Sequence, residues 1–109
     1  MKVVPARGLA VPLEPVATDQ VVQGEPKAGA VILWDHGGLE VGVWEHSVGV
    51  STDTEADETF VVLSGRARID VEGGESVEVG TGDVVRLDAG ARTTWTVSEP
   101  LRKVYVVAD

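Results

Sequence analysis

Valine and glycine together constrain this chain more than any other feature. Valine occupies 22 of the 109 positions and threonine a further eight, and β-branched residues favour strands over helices. Thirteen glycines and five prolines interrupt the valine-rich runs at short intervals, which is typical of short strands joined by turns. The sequence therefore predicts an all-β fold of eight or more strands, arranged as a sandwich or a barrel such as the double-sheet jelly roll.

The prolines divide this single domain into an arm and a barrel. Four of the five lie in the first thirty residues, and proline cannot donate a hydrogen bond within the middle of a sheet. Residues 1–29 are predicted to form an extended arm with edge strands, packed on the barrel or on a partner chain, and residues 30–109 to form the barrel. The polar, acidic segment 47–57 predicts a surface loop, and Gly73–Gly74 predicts a hairpin turn. The predicted strands are 30–35, 39–46, 58–64, 66–72, 75–79, 84–87, 93–97 and 101–107.

Charge and cysteine content exclude several kinds of partner and site. Nine basic and eighteen acidic side chains give a net charge of -9, which repels phosphate backbones and anionic lipid surfaces. We expect neither a nucleic-acid partner nor a membrane partner. Since the chain has no cysteine, it has no disulfide framework, thiolate metal site or cysteine nucleophile. No apolar run is long enough for a signal peptide or a membrane span, and we expect a cytoplasmic protein.

A set of spaced residues resembles the sequence motifs of a known superfamily. Glu58 is followed after six residues by Gly65, and Gly82–Asp83 is followed by Gly90; this pattern is similar to the two motifs of the cupin superfamily. A narrower resemblance is to the small single-domain cupins of the Cupin_3 group, also described as ethanolamine-utilisation-type or ureidoglycine-aminohydrolase-like. The resemblance implies a double-stranded β-helix, the cupin jelly-roll barrel, in a commonly dimeric protein of mostly unassigned activity. The narrower resemblance, to the Cupin_3 group, also rests on residues 22–27, 33–35, 40–46, Trp95 and 102–106.

Metal-binding cupins use three histidines and one glutamate, and this sequence departs from that pattern. The glutamate position corresponds to Glu58, two histidine positions to Ser51 and Asp53, and the third to Thr93. A glutamate with hydroxyl groups binds transition metals weakly, so the resemblance implies a barrel without a full metal site and without a cofactor. The alternative is a weak divalent-metal site made by Asp53 and Glu58. With the shorter motif spacing, the two histidine positions fall on Thr52 and Thr54 instead.

The same register predicts that Glu58 and Thr93 face each other across the barrel interior. Side chains alternate between the two faces of a strand, so Phe60 and Trp95 share that interior. Burial raises the pKa of a carboxyl group, which makes Glu58 a candidate general acid or base. Lys103 lies in the last predicted strand and needs a counter-charge if it faces the core. A Glu58–Lys103 pair can be structural or catalytic, and both interpretations stay open.

The remaining candidates are aromatic and histidine side chains. Trp44 belongs either to the core or to a pocket wall, and Tyr105 needs a hydrogen-bond partner if it faces the barrel. His36 and His46 share no metal-ligand spacing, and we expect them at the surface or in turns. The predicted catalytic residues are Glu58 and Lys103, and the predicted ligand-binding residues are Phe60, Thr93, Trp95, Trp44 and Tyr105.

These observations predict a homodimeric cupin of unassigned activity that binds a small polar metabolite inside its barrel. If the protein is an enzyme, Glu58 is its acid or base. The alternatives are a metal-dependent cupin enzyme and a non-catalytic binding or structural cupin. The dimer is expected because the proline-bearing arm can cover, or exchange across, an otherwise open sheet edge.

Overall fold

The computed structural model describes residues 1–108, and nearly all of its regular structure is β-strand, which confirms the all-β prediction. Within this range, one three-residue 3-10 helix, η1, accompanies the strands, and no helix has the length and apolarity that crossing a lipid bilayer requires. The elements are β1 Glu14–Pro15, η1 Thr18–Gln20, β2 Val21–Gln23, β3 Lys27–His36, β4 Leu39–His46, β5 Gly49–Thr54, β6 Glu58–Val71, β7 Ser76–Gly80, β8 Val84–Leu87 and β9 Arg92–Ala108.

Two long strands, β6 and β9, organise the sheet. β9 pairs with β4, β5 and β6, and β6 also pairs with β7 and β8. β5 pairs with the first part of β9 and β4 with its last part, whereas β6 runs antiparallel to β9 along most of its length. The path β1, β3, β4, β9, β5, β2 leaves the two short strands of the N-terminal segment at its ends. The antiparallel sheet curls around β6 and β9 into a jelly-roll β-barrel.

The segment 47–57 differs from its predicted loop. Residues Gly49–Thr54 form β5, which pairs with β9 from Val97 to Arg92. The loop prediction was wrong because polar composition does not by itself mean exposure, and alternate residues of this strand turn inward. Ser51 is only 6% exposed, and Glu55, just beyond the strand, is 8% exposed. This correction matters because both side chains belong to the site described below.

Two pairs of predicted strands are in fact continuous. The segments 58–64 and 66–72 form most of β6, and 93–97 and 101–107 lie within β9. Gly65, which the predicted strands 58–64 and 66–72 leave as a turn between them, lies instead inside β6, where its φ of 91° accompanies a close approach to the Pro100 backbone. The hairpin predicted at Gly73–Gly74 does join β6 to β7.

The hydrophobic core cluster is built from strands β6 to β9, and Val43 of β4 is buried outside it. Alternate residues of each strand point inward, as the period-two pattern predicts. Phe60 and Ile69 of β6 and Leu101 of β9 are each at most 1% exposed. The remaining members of the core are Val62, Ala67, Val79, Leu87, Trp95, Val97 and Tyr105. Since the core cluster uses these strands, most of the wall of a cavity comes from β1, β3, β4 and β5.

The N-terminal arm lies on the protein's own barrel and is held there by Arg102. The Arg102 guanidinium donates to the backbone carbonyls of Ala6 and Leu9 and forms an ion pair with Glu45, with Nη2 and Oε1 2.8 Å apart. Farther along the arm, the Pro12 backbone is pressed so closely on Gly29 that a Cβ there would collide with it. The arm then enters β1, which pairs with β3. These contacts position residues 14–20 beside the barrel interior.

Candidate functional site

A cavity of about 400 Å³ enters the barrel interior, a volume in the usual range for small-molecule sites. Its wall comes from β1, η1, β3, β4 and β5, completed by one side chain of β6 and three of β9. Phe60 and Thr93 were predicted to line it but do not; they lie behind the wall, 1% and 3% exposed. The predicted site residues that do line it are Glu58, Lys103, Trp44, Trp95 and Tyr105.

Glu58 and Lys103 form the ion pair that the sequence predicted. Lys103 Nζ donates to Glu58 Oε2 at 2.6 Å, and the two side chains are 5% (Lys103) and 13% (Glu58) exposed. β9 places Lys103 inward because Arg102 and Val104 on either side of it point to the opposite face. Ammonium and carboxylate compensate each other's loss of water only because they are hydrogen-bonded at this distance.

Three aromatic rings surround the Lys103 ammonium. Its Nζ lies 4.5 Å from the ring centroid of Trp44, 4.3 Å from that of Phe60 and 4.8 Å from that of Trp95. Each distance is within the range in which the negative face of an aromatic ring attracts a cation. The rings also contact one another: Trp95 packs against both Trp44 and Phe60. Phe60 therefore belongs to the site as a support for Lys103, although it does not line the cavity.

Glu55 joins the site through a hydrogen-bond network that the sequence reading missed. Its Oε2 accepts from Thr93 Oγ1 at 2.6 Å and from Trp95 Nε1 at 3.1 Å. Trp95 Nε1 is also 3.0 Å from Thr93 Oγ1. Thr93 thus faces Glu55 rather than Glu58, which corrects the predicted pairing across the barrel. One signal was available: two inward donors, two residues apart on one strand, require a buried acceptor.

Tyr105 closes another side of the cavity and has the hydrogen-bond partner that its burial requires. The Tyr105 hydroxyl donates to Glu40 Oε2 at 2.9 Å. Burial, followed by this bond and the negative charges of Glu40 and Glu58, raises the pKa of the Tyr105 phenol well above its ordinary value. Gly42 lies opposite the ring on β4, and a Cβ there would collide with the Tyr105 side chain. The phenol therefore stays protonated and fixed in position.

His46 is buried, contrary to the prediction that it lies at the surface or in a turn. It is 2% exposed and lines the cavity, whereas His36 is exposed as predicted. The imidazole points inward because His46 shares a strand face with Trp44, and the two ring centroids are 5.4 Å apart. Its Nδ1 atom forms a hydrogen bond with the Ser47 carbonyl, and its Nε2 atom forms one with the Ser51 hydroxyl. The sequence contains no signal for this, because both hydrogen-bond partners lie in the segment 47–57, for which it predicts a loop.

Burial of His46 predicts a specific pH dependence of stability. Desolvation, reinforced by the charge of Lys103 and opposed by the bond to Ser47, lowers the pKa of His46 below its ordinary value of 6.5. Below pH 6.5, His46 therefore binds a proton more readily in the unfolded chain than in the folded protein. We expect the free energy of unfolding to fall by up to about 1.4 kcal/mol per pH unit as the pH drops from 6.5 toward the lowered pKa.

Urea denaturation of the wild type, His46→Gln and the matched exposed variant His36→Gln, at pH 5 to 7.5, measures this dependence. The free energy of unfolding of His36→Gln is expected to change with pH as steeply as that of the wild type. In His46→Gln this dependence on pH should be weaker. Equal slopes in all three proteins would show that His46 does not titrate differently on folding. The raised pKa of Asp53, caused chiefly by burial and then by Glu55, is common to the three proteins and cancels in the comparison.

The side chains at the metal-binding positions of the motif do not fit a transition metal. Ser51, Asp53 and Glu58 all line the cavity, as the motif register requires. However, Glu58 Oε2 already accepts a bond from the Lys103 ammonium, and the serine hydroxyl is a poor ligand. Within residues 1–108, no three histidine, aspartate, glutamate or cysteine side chains are grouped closely enough to bind a metal ion. The fixed cation of this site is the ammonium of Lys103.

Carboxyl groups outnumber this cation around the cavity. Glu14, Asp53, Glu55 and Glu58 contribute to the wall, against the single ammonium of Lys103. Only Glu58 is paired with Lys103, so the negative charge of the wall is partly uncompensated. An excess of carboxylates attracts cations and hydrogen-bond donors and repels anions.

Comparison with known proteins agrees with the cupin fold. The family model for the EutQ-like cupin domain, Cupin_3, matches residues 35–105. This range contains the inward residues of β4, β5 and β6 and most of β9. No curated protein sequence matched the chain.

Solved structures resemble the chain at modest sequence identity. The EutQ protein of Clostridium difficile is 21% identical, with a TM-score of 0.68, over 76% of this chain and 63% of that one. A protein of unknown function of the DUF861 family from Pseudomonas syringae pv. tomato is 25% identical, with a TM-score of 0.79, over 94% of this chain but 46% of that one. A DUF861 protein of Thermotoga maritima is 33% identical, with a TM-score of 0.55, over 58% of this chain and 73% of its own. The chain thus spans about half to two thirds of the first two structures. From the family match and the barrel geometry together, the chain is a member of the EutQ-like cupin domain family, Cupin_3.

Proposed function

We propose that this cupin binds a small polar metabolite in the barrel cavity, in contact with Glu58 and Lys103. The observation that carries the proposal is the Glu58–Lys103 pair held at 2.6 Å in the wall of a cavity of about 400 Å³. Burying an ion pair gives little net stability compared with apolar packing, so a pair that faces a cavity is better explained by what it binds. The solved relatives of unknown function supply no ligand.

The ligand is expected to carry amine, amide or hydroxyl donors rather than a carboxylate or phosphate. Asp53 and Glu14 have no ion-pair partner among the described residues and face the cavity. Trp44 and Trp95 supply flat apolar surface for the body of the ligand. Lys103 has donors left after its bond to Glu58, which suit a carbonyl oxygen on the same ligand. Small amides, ureas and amino compounds combine these features.

The acid–base role of Glu58 belongs to the same proposal. A carboxylate bonded to an ammonium inside an aromatic wall is positioned to take a proton from a bound ligand, while Lys103 balances the charge. The alternative is a binding protein in which the pair only recognises the ligand. The two differ in whether Glu58→Gln removes turnover or only affinity for a ligand found in the screen described next.

A thermal-shift and calorimetric screen of small amines, amides, ureas and carboxylates, matched in size, tests the binding proposal. We expect the amine and amide compounds to raise the Tm and the carboxylates to have no effect. In Asp53→Asn, affinity for an amine ligand should fall about tenfold, because a charge-assisted hydrogen bond becomes a neutral one. The matched variant Asp35→Asn, an exposed carboxylate outside the cavity, should bind within twofold of the wild type. Tighter binding of carboxylates, or an unchanged affinity in Asp53→Asn, would contradict the proposal.

We also infer that the protein forms a homodimer through the outer face of the sheet. Val84 on β8 and Val106 on β9 are 68% and 38% exposed. Exposed large apolar side chains can mark an interaction surface, and a second copy is the commonest partner. Light scattering should give twice the chain mass for the wild type and for Val22→Glu, at the far end of the sheet, but the single mass for Val84→Glu. A wild-type protein of single mass would refute the dimer.

A further inference from the structure

His46 and Ser51 form a hydrogen-bonded pair in the cavity wall that the Glu58–Lys103 pair does not involve. His46 Nδ1 lies 2.6 Å from the Ser47 carbonyl oxygen, and Nε2 lies 2.8 Å from Ser51 Oγ. Because a carbonyl oxygen only accepts hydrogen bonds, Nδ1 carries the proton of the neutral ring. Nε2 therefore presents its lone pair to Ser51, and the Ser51 hydroxyl donates to it.

This arrangement satisfies the geometric requirements for an activated nucleophile. Such a site needs a hydroxyl bonded to a base, with the base oriented by a third group. Here the Ser47 carbonyl orients the imidazole, and the Trp44 ring packs against it with the centroids 5.4 Å apart. Desolvation and Lys103 keep the ring neutral by lowering the pKa of His46, so its Nε2 is free to accept a proton. Both His46 and Ser51 line the cavity.

We propose that Ser51 is a nucleophile, activated by His46, that accepts the acyl group of small esters entering the cavity. This inference rests on the proposed function, because the ester reaches Ser51 through the same cavity. A cavity of about 400 Å³ accommodates a small ester. The excess of carboxylates in the wall favours uncharged or cationic esters over anionic ones.

The reaction consists of two steps in which water is the second reactant. In the first, Ser51 Oγ forms a bond to the ester carbonyl carbon while its proton passes to His46 Nε2. The electron pair of the carbonyl moves to its oxygen, and Lys103, on the same cavity wall, offers a positive charge to that oxygen. Collapse breaks the bond to the leaving alkoxide, which takes the proton from His46. In the second step, water attacks the acyl–Ser51 ester, gives its proton to His46 and releases the carboxylic acid; the Ser51 oxygen recovers the proton.

Reaction with p-nitrophenyl acetate tests the first step directly. We expect a burst of p-nitrophenolate that approaches one equivalent per chain and a mass increase of one acetyl group, mapped to the peptide containing Ser51. In Ser51→Ala this peptide should not be acetylated, and the rate of p-nitrophenolate release should fall at least about tenfold. The matched variants Ser98→Ala, an exposed hydroxyl, and His36→Gln, the other imidazole of the chain, should stay within twofold of the wild type.

A thiol at position 51 gives a second test that needs no ester and no correct guess of the acyl group. Because the chain has no cysteine, the Ser51→Cys variant has one thiol, and a thiol bonded to an imidazole ionises below its ordinary pKa. At pH 6.5, iodoacetamide should alkylate it at least about tenfold faster than in Ser51→Cys/His46→Gln, which keeps the same access but lacks the base. A Ser98→Cys variant gives the rate of an ordinary exposed thiol.

The outcomes separate this inference from the proposed function. Acetylation of Ser51 that requires His46 supports the nucleophile. Absence of acetyl on Ser51, acetylation of Lys103 instead, or equal alkylation rates with and without His46 would each overturn it. If the ligand screen succeeds while these tests fail, the cavity binds small molecules and the Ser51–His46 pair is structural. If both fail, the proposed function fails with it.

Discussion

Replacing Glu58 by glutamine should lower the free energy of unfolding by about 3 to 5 kcal/mol, because it leaves the Lys103 ammonium buried without a counter-charge. Lys103 is 5% exposed and bonds to Glu58 at 2.6 Å. The three rings around the ammonium attract it by about 2 kcal/mol or less each and do not replace a carboxylate. For a domain of this length the Tm should fall by about 15 to 25 °C, which differential scanning calorimetry measures.

A double-mutant cycle shows whether the Glu58–Lys103 ion pair as a whole stabilises or destabilises the folded protein. Lys103→Met leaves Glu58 unpaired and should be destabilised by a similar amount. In Glu58→Leu/Lys103→Met both charges are gone, and the protein should recover most of the loss, since apolar replacement of a buried pair is often neutral. The matched control is Glu72→Gln, which removes one partner of the exposed ion pair with Arg92. Its Tm should equal that of the wild type. A Glu58→Gln protein as stable as the wild type would show that Lys103 does not depend on Glu58, and the pair would then be retained for chemistry alone.

Replacing Gly65 by alanine should lower the free energy of unfolding by about 3 to 4 kcal/mol, the second large effect. Two costs combine at this position. Its φ of 91° is a region that residues with a Cβ adopt only under strain, and the added Cβ would meet the backbone of Pro100 and Leu101. Neither neighbour can move freely, because both belong to β9, the strand that pairs with β4, β5 and β6.

Gly73→Ala separates the two costs. Gly73 has a φ of 73°, and nothing lies within contact distance of a Cβ built there. Its replacement should therefore cost about 1 to 2 kcal/mol, the conformational part alone. Urea denaturation of both variants measures the difference. If Gly65→Ala and Gly73→Ala were equally stable, the approach of β6 to Pro100 would not be close enough to matter.

The Glu58–Lys103 pair also bears on the proposed function of the cavity. In metal-binding cupins the glutamate of the first motif is a metal ligand, whereas here Glu58 holds an ammonium supplied by the chain itself. A cation attached covalently to β9 does not dissociate. The ammonium of Lys103 is thus a permanent part of the cavity wall, beside the Glu58 carboxylate.

The fold and the ion pair could be predicted because they depend on local patterns. Alternation along β9 puts Lys103 inward, and the motif spacing identifies Glu58, so their contact follows from two one-dimensional signals. The same alternation placed Trp95 in the interior, whereas Trp44 was open between the core and a pocket wall and the orientation of Tyr105 was also open; all three line the cavity. Phe60 was predicted on the correct face, but as lining rather than as the ring beneath the ammonium. For Phe60 and Trp95 the orientation of the side chain was predicted, and its neighbours were not.

The positions of Ser51, Glu55 and His46 in the site depended on the tertiary packing of the strands. Glu55 and Ser51 are polar residues in an acidic segment, and composition assigns such residues to solvent. They are buried because β5 inserts between β2 and β9, where Thr93 and Trp95 offer donors to Glu55 and His46 offers an acceptor to Ser51. Gly65 likewise reads as a turn until β9 is placed against it. The amino-acid sequence thus determined which residues alternate into a β-barrel, because that pattern is local to each strand. Only the tertiary structure decided which polar groups find partners inside it, because hydrogen bonds between distant strands leave no periodic trace in the chain.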